Sequence, residues 1–359
     1  MAEPNSLKKV LQSLCLMSMI VAQAQSVDRN QLQDLFFTGM KSGVACYRIP
    51  AVATTPDGTL LAAIDERMSS CRDLGQNEDI NIVLRKSSDH GQTWTQVQTL
   101  VDFPLGQSAS DPSFVVDLQN KKVFLFYNYM DLKNHKGQYR IHVIMTTNNG
   151  VSWSAPKDVT DQIFKPEWSN SFVFVTSGNG IQTQNGTLLH TLVHVGEKSG
   201  YVFGSRDGGK TWSLTSPPLT PADESKIVEL SDGTWMVNAR VNGPGSRYIH
   251  QSSDQSKTWT GYQDENLIDP GCNGAILNLR DPIKKTSRLL FINPSSSSSR
   301  ENLTLKLSDD DGKNWKTSKV IYSGSSAYAS VTITGPNQIG VFFERDNYSK
   351  MSFKLINLN

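Results

Sequence analysis

The sequence has no excess of either charge: 35 Lys and Arg stand against 34 Asp and Glu in 359 residues, a net charge of +1. A near-neutral chain has no long-range field to hold a polyanion, so a general nucleic-acid binder is disfavoured and no nucleic-acid partner is expected. No run of 18 or more apolar residues free of charge occurs, so no transmembrane segment is expected. Cysteine is scarce, and Cys15, Cys46, Cys71 and Cys272 include no CxxC pair, which leaves zinc ligation unsupported. His190 and His194, four apart on a strand, would stand about 13 Å from each other, too far to share one ion. HExxH, GxSxG and GxGxxG are absent. Neither metal nor organic cofactor is expected.

What is present is apolar content of 37%, enough for a core, with 26 Gly and 15 Pro, which favour frequent turns over long helices. Length alone suggests two domains, but closed β-folds of this size often run as one. At the amino terminus Lys8 and Lys9 precede the apolar run Val10 to Ala22, and Ala22-Gln23-Ala24 offers a small-x-small cleavage site. That order predicts a secretory signal peptide over residues 1–24, a single domain over 25–359, and a secreted or periplasmic location. The alternative is a buried first helix.

A repeat then organises the chain. Ser-x-Asp-x-Gly-x-Thr-Trp stands intact at Ser87 to Trp94 and at Ser205 to Trp212. Degraded copies end at Trp153, Trp259 and Trp315. Successive tryptophans are 59, 59, 47 and 56 residues apart. Asp and Gly two apart supply the side-chain-to-backbone bonds and the positive φ of a tight turn. β-rich runs such as Ile80 to Leu84, Ile141 to Met145 and Leu303 to Leu307 precede the copies, and Asp57-Gly58, Asn185-Gly186 and Asp232-Gly233 mark further turns. A period of about 56 residues with four short strands matches one propeller blade, and six blades fill residues 25–359. The expected fold is all-β, a six-bladed β-propeller. The sixth copy is taken as decayed.

The repeat carries no chemistry of its own, so function rests on other residues. Arg48 sits inside an apolar strand in Tyr47-Arg48-Ile49-Pro50. Arg247 and Arg300 open strands in two other repeats. With the repeat, which has the form of an Asp box, this set resembles the bacterial secreted sialidase (neuraminidase) family of six-bladed propellers across essentially the whole of residues 25–359.

The resemblance implies an exo-sialidase acting on sialylated glycans, glycoproteins or glycolipids, and a monomer. Arg48, Arg247 and Arg300 match the three arginines that clamp the sugar carboxylate, a task suited to a planar, permanently charged fork. Glu344 matches the glutamate supporting the first arginine. Tyr328 matches the nucleophile and Glu229 the glutamate that takes its proton. A phenol avoids the repulsion that a carboxylate nucleophile would meet at an anomeric carbon already bearing a carboxylate. Asp73, on the loop after the first arginine's strand, matches the acid/base, with Asp79 as the alternative. Arg67 and Asp111 match residues that contact the 4-hydroxyl side of the sugar. Cys46 and Cys71 each lie two residues before a site candidate, so they form either a bridge pinning the acid loop or two buried thiols. Trans-sialidase activity, or a non-catalytic propeller that binds sialylated glycans, would use the same framework.

Overall fold

The computed structural model describes residues 32–243, 245–281 and 286–358. The expected signal peptide lies outside them. Among the described residues regular structure is almost entirely strand, with one four-residue helix and two 3-10 turns. No helix is long and apolar enough to cross a membrane.

Neighbouring strands joined by short turns pair antiparallel and form six blades. The first holds Cys46–Thr54, Leu60–Arg67, Ile80–Ser87 and Gln98–Val101. The second holds Gln107–Asp117, Lys122–Asp131, Arg140–Thr146 and Lys157–Asp158. The third has a broken inner strand. Val173–Val175 and Ile181–Gln182 pair with Leu188–His194, while Gly178–Asn179 between them crosses to lie parallel on Ser113 and Phe114 of the second blade. Ser199–Ser205 and Ser213–Leu214 complete it. The fourth blade holds Ser225–Glu229, Trp235–Ala239, Gly245–Ser252 and Thr260–Asp269.

Blades five and six share one strand. The first half of Lys316–Gly335 is the outer strand beside Glu301–Ser308; its second half is the inner strand beside Gln338–Arg345. Ala275–Asp281 and Thr286–Pro294 complete blade five, and Lys350–Asn357 follows in blade six. The outermost strand of blade six, Gln33–Phe37, comes from the opposite end of the chain. Blades one and six also join directly: the Val52 amide donates to Ser330 Oγ at 3.0 Å, and the Thr54 and Thr332 hydroxyls lie 2.8 Å apart. The six-bladed expectation is met.

All five copies of the repeat adopt one turn. In blade one Asp89 Oδ1 accepts from the amides of Gln92 and Thr93, and the Gly91 amide donates to Ser87 Oγ. The degraded copies keep this pattern through Asn148, Asp254 and Asp310. Gly209 shows why glycine belongs here: its φ is +82°, and a Cβ would stand 2.1 Å from Phe124 of the preceding blade. The tryptophan that follows reaches the same neighbour. The ring of Trp212 packs edge-on against Phe124 and Phe126, at 5.5 and 4.8 Å between centroids, and that of Trp94 against Phe353 at 4.9 Å. Burying an indole of roughly 200 Å² makes each copy a clamp between blades. The missing sixth copy is not a decayed turn. In blade six the third and fourth strands are not consecutive, so no hairpin joins them.

Candidate active site

Every inner strand enters from the same end of the axis, and the second strand of each blade returns to it. Residues at inner-strand starts and second-strand ends therefore meet there. Arg48 begins the inner strand of blade one, where Arg67 ends the second. Asp111 lies in the inner strand of blade two. Tyr328 lies in that of blade six, and Glu344 ends its partner strand.

Three inner strands break register at this depth, between Arg48 and Ala51, Ser110 and Ser113, and Ser326 and Ala329. Such bulges re-aim side chains next to functional sites. Ile49 carries φ +64° and Asp111 φ +63°, and for a β-branched residue such as Ile49 that conformation costs on the order of 1–3 kcal/mol. The strained Ile49 amide is held by Glu344 Oε1 at 2.9 Å.

Glu344 organises one side of the site. Its carboxylate accepts from Arg48 Nε at 2.7 Å and from the Tyr328 amide at 3.1 Å. The Arg48 guanidinium also lies 4.1 Å from the Tyr348 ring centre, and the Tyr348 hydroxyl accepts from Arg300 Nη1 at 3.3 Å. Arg300 stands 5.6 Å from the Tyr328 ring centre. Arg48, Arg300, Glu344 and Tyr328 thus come together as expected.

Two expected residues do not join them. The Tyr328 hydroxyl donates to Glu224 at 2.5 Å, not to Glu229. Glu229 ends the inner strand Ser225–Glu229, five residues beyond Glu224, which immediately precedes that strand, and so stands about 16 Å away. It is bound by Arg280 and the Gln184 amide in a cavity of about 410 Å³ at the opposite end of the axis. Arg247 is fully buried and consumed by Asn238, Asp269 and the Cys272 carbonyl. Arg240 takes the expected place, with Nη1 at 2.5 Å from Glu224 and 3.3 Å from the Tyr328 hydroxyl. A signal for this pair was present. Glu224 and Arg240 lie at equal distances from the Asp232-Gly233 turn, so the hairpin sets them opposite each other, and the Arg240 amide donates to the Glu224 carbonyl at 3.1 Å. Tyr348, which bridges two arginines, had no such mark in the sequence.

The loop that carries Asp73 lies beside this group. Arg67 Nη1 donates to Asp73 at 2.9 Å and to the Cys71 carbonyl at 2.9 Å, while its other nitrogens hold Asp65. The Asp73 side chain is 86% exposed, free to meet an entering molecule. Asp79 sits where the next strand begins and has no contact with Arg67 among the bonds described. Cys46 and Cys71 are joined in a disulfide, tying the loop of Asp73 to the strand of Arg48. Asp111 is held by the Asn128 amide, and its own backbone amide donates to Asp65. Burial and the neighbouring Asp65 push the Asp111 carboxyl upward. Trp168 packs in the core of blades two and three. Among the described residues no group of His, Cys, Asp and Glu could hold a metal ion.

Burial, and then Glu224, hold the Tyr328 phenol well above its ordinary pKa, while Arg240 pulls the other way. The resting phenol is therefore neutral, with an acceptor in place for its proton. Three guanidiniums stand around it, and planar charged forks so grouped can pair with one carboxylate.

The chain matches the BNR repeat-like domain over residues 58–341. A sialidase of Bacteroides fragilis is 29% identical over 348 residues, covering 88% of this chain and 62% of its own length. A sialidase of Micromonospora viridifaciens is 32% identical over 342 residues, covering 87% of this chain and 52% of its own. The chain thus spans between half and two thirds of these relatives. Among solved structures, the Hadza microbial sialidase Hz136 superposes with TM-score 0.79 at 24% identity, over 88% of this chain and 66% of that one. The intramolecular trans-sialidase from Ruminococcus gnavus gives 0.77 at 18%, over 90% and 97%. At these identities the structural likeness bears on the fold.

Proposed function

We propose that this chain, which belongs to the BNR repeat-like family, is a retaining exo-sialidase that removes terminal sialic acids from glycans, glycoproteins or glycolipids. The observation that carries this reading is the Tyr328–Glu224 hydrogen bond set among Arg48, Arg240 and Arg300.

In the proposed reaction the three arginines bind the substrate carboxylate and orient the anomeric carbon above the Tyr328 oxygen. Tyr328 attacks that carbon as its proton passes to Glu224. The glycosidic bond breaks, and Asp73 gives its proton to the departing oxygen. The aglycone leaves and a sialyl-tyrosine intermediate remains. Asp73, now a carboxylate, removes a proton from water, which attacks the same carbon; the tyrosyl oxygen departs and recovers its proton from Glu224. Two inversions retain configuration. Arg67 and Asp111 would contact the sugar on the side away from Tyr328.

The order of charged, apolar and small residues in 1–24 supports export, and the Cys46–Cys71 bridge fits an oxidising compartment. The test is hydrolysis of a fluorogenic sialoside, with the first-formed anomer followed by proton NMR. The wild type is expected to release the α-anomer first, and Tyr328→Phe to lose at least about 10²-fold in kcat. A Tyr328→Phe enzyme of full activity, or a β-anomer released first, overturns the mechanism; no hydrolysis at all overturns the activity.

A further inference from the structure

Of the three arginines beside Tyr328, two are already paired with a carboxylate: Arg48 with Glu344 at 2.7 Å and Arg240 with Glu224 at 2.5 Å. Arg300 is not. Among the described residues no carboxylate lies within salt-bridge distance of its guanidinium, and two oxygens without formal charge hold it instead. Nη1 donates to the Tyr348 hydroxyl at 3.3 Å and Nη2 to the Gly271 carbonyl at 2.9 Å. The second acceptor is fixed from behind. The Gly271 and Cys272 amides donate to Asp269 at 2.6 and 2.7 Å, and Asp269 is paired with the fully buried Arg247 at 2.8 Å.

Tyr348 is placed by an uncommon piece of backbone. It lies in the turn between Gln338–Arg345 and Lys350–Asn357, where Asp346, Asn347 and Tyr348 carry φ of +52°, +51° and +65° in succession. A bulky side chain such as tyrosine resists that conformation, so it persists only where the surroundings impose it. Here they are the inner strand of the same blade. The Asp346 amide donates to the Ser325 carbonyl at 3.0 Å and the Asn347 amide to Ser325 Oγ at 3.2 Å, three residues before Tyr328. The half-buried Tyr348 ring then lies 4.1 Å from the Arg48 guanidinium, and its hydroxyl reaches Arg300. One side chain thus joins two like charges, attracting the first through its ring face and the second through its oxygen.

Like charges held close repel, and a carboxylate between them would relieve this only by neutralising the charge that a substrate must meet. A phenol attracts both without doing so. Resting on the reading of the arginines as the seat of the sugar carboxylate, we propose that Tyr348 is a positioning residue: it fixes the spacing of Arg48 and Arg300 and leaves Arg300 without a counter-ion, its charge reserved for the carboxylate of the substrate. Tyr348 makes no bond to Tyr328 or Glu224 among those described, and acts through the two arginines. Once a substrate is bound, its carboxylate holds Arg300 as well, so loss of Tyr348 weakens binding more than it slows the chemical step.

The test compares the full chain with Tyr348→Phe, which keeps the ring beside Arg48 and removes the oxygen. On the fluorogenic sialoside KM is expected to rise by about tenfold with kcat within about twofold. A second readout needs no turnover. In protein labelled with ¹⁵N-arginine, the Arg300 guanidinium signals, assigned by their loss in Arg300→Lys, should shift, and rotation about the Cζ–Nε bond should quicken by at least about threefold. Tyr348→Leu removes the ring as well; it should raise KM further and shift the Arg48 signals too. Arg300 signals that do not change in Tyr348→Phe overturn the proposal. So does a KM that does not rise in the active variant, or a fall in kcat accompanied by a lower Tm, which marks a structural role alone. Altered Arg300 signals in a protein that hydrolyses no sialoside uphold the hold of Tyr348 on Arg300 and sink the sialidase reading alone.

Discussion

At the scale of single residues, two glutamates organise the site, each holding more than one group. Glu344 takes Arg48 and so fixes its guanidinium; Glu224 takes both Arg240 and the Tyr328 hydroxyl. The contrast with Glu229 is one of location, just before a strand against its far end, and it yields a direct comparison. Glu224→Gln leaves the geometry but removes the proton acceptor, so kcat is expected to fall by about 10²-fold or more. Glu229→Gln sits at the far end of the axis. It should leave kcat within about twofold while costing roughly 1–2 kcal/mol through the weakened Arg280 pair, which is partly exposed. Steady-state kinetics and thermal melts on both variants check this; equal loss of activity in the two would contradict the placement of the base.

At the scale of elements, the turn repeat and the bulges divide the work between assembly and chemistry. The turns hold one backbone shape with different residues. Gly209 and Ser256 occupy equivalent positions at φ +82° and +80°, and Ser256 bears the strain that glycine avoids. Ser256→Gly should therefore stabilise by about 0.5–1 kcal/mol, since Trp259 Nε1 keeps its bond to the Ser256 carbonyl. Gly209→Ala must place a methyl into Phe124 as well as adopt positive φ, and a loss above about 2 kcal/mol is expected. Denaturant melts on the pair measure both signs, and a neutral Gly209→Ala would refute the close-contact account. The bulged inner strands bear their strain at the site itself, where Ile49 and Asp111 turn the chain so that Arg48 and Asp111 enter the same space.

For the whole molecule, closure rests on a strand borrowed from the other end of the chain. Gln33–Phe37 covers the edge of Lys350–Asn357, and Asp34 pairs with Arg345 next to Glu344. Deleting residues up to Phe37 bares that edge and loosens the blade carrying Tyr328. The expected outcome is a fall in Tm of roughly 10 °C or more with loss of activity, read by thermal shift and size-exclusion chromatography. A truncated chain with unchanged elution and unchanged Tm would show that the ring closes without this strand.

Much of this was written locally. Asp89, Gly91 and Trp94 each act within a few residues of chain, so the period of their repeat along the sequence is enough to count the blades. Arg48 and Arg300 stood out because a charge interrupts or opens an apolar strand, whereas Tyr328, Glu344 and Asp73 were singled out only by the resemblance to the sialidase family. The choice between Glu224 and Glu229, and between Arg240 and Arg247, was of another kind. Each pair has one member at the mouth of the axis and one buried or far away, and composition does not distinguish them. Strand direction, hairpin register and the twist of each blade settle which end and which face a residue occupies. Those are properties of the closed ring, and only the tertiary structure, which brings the ends of six blades to one point, could assign them.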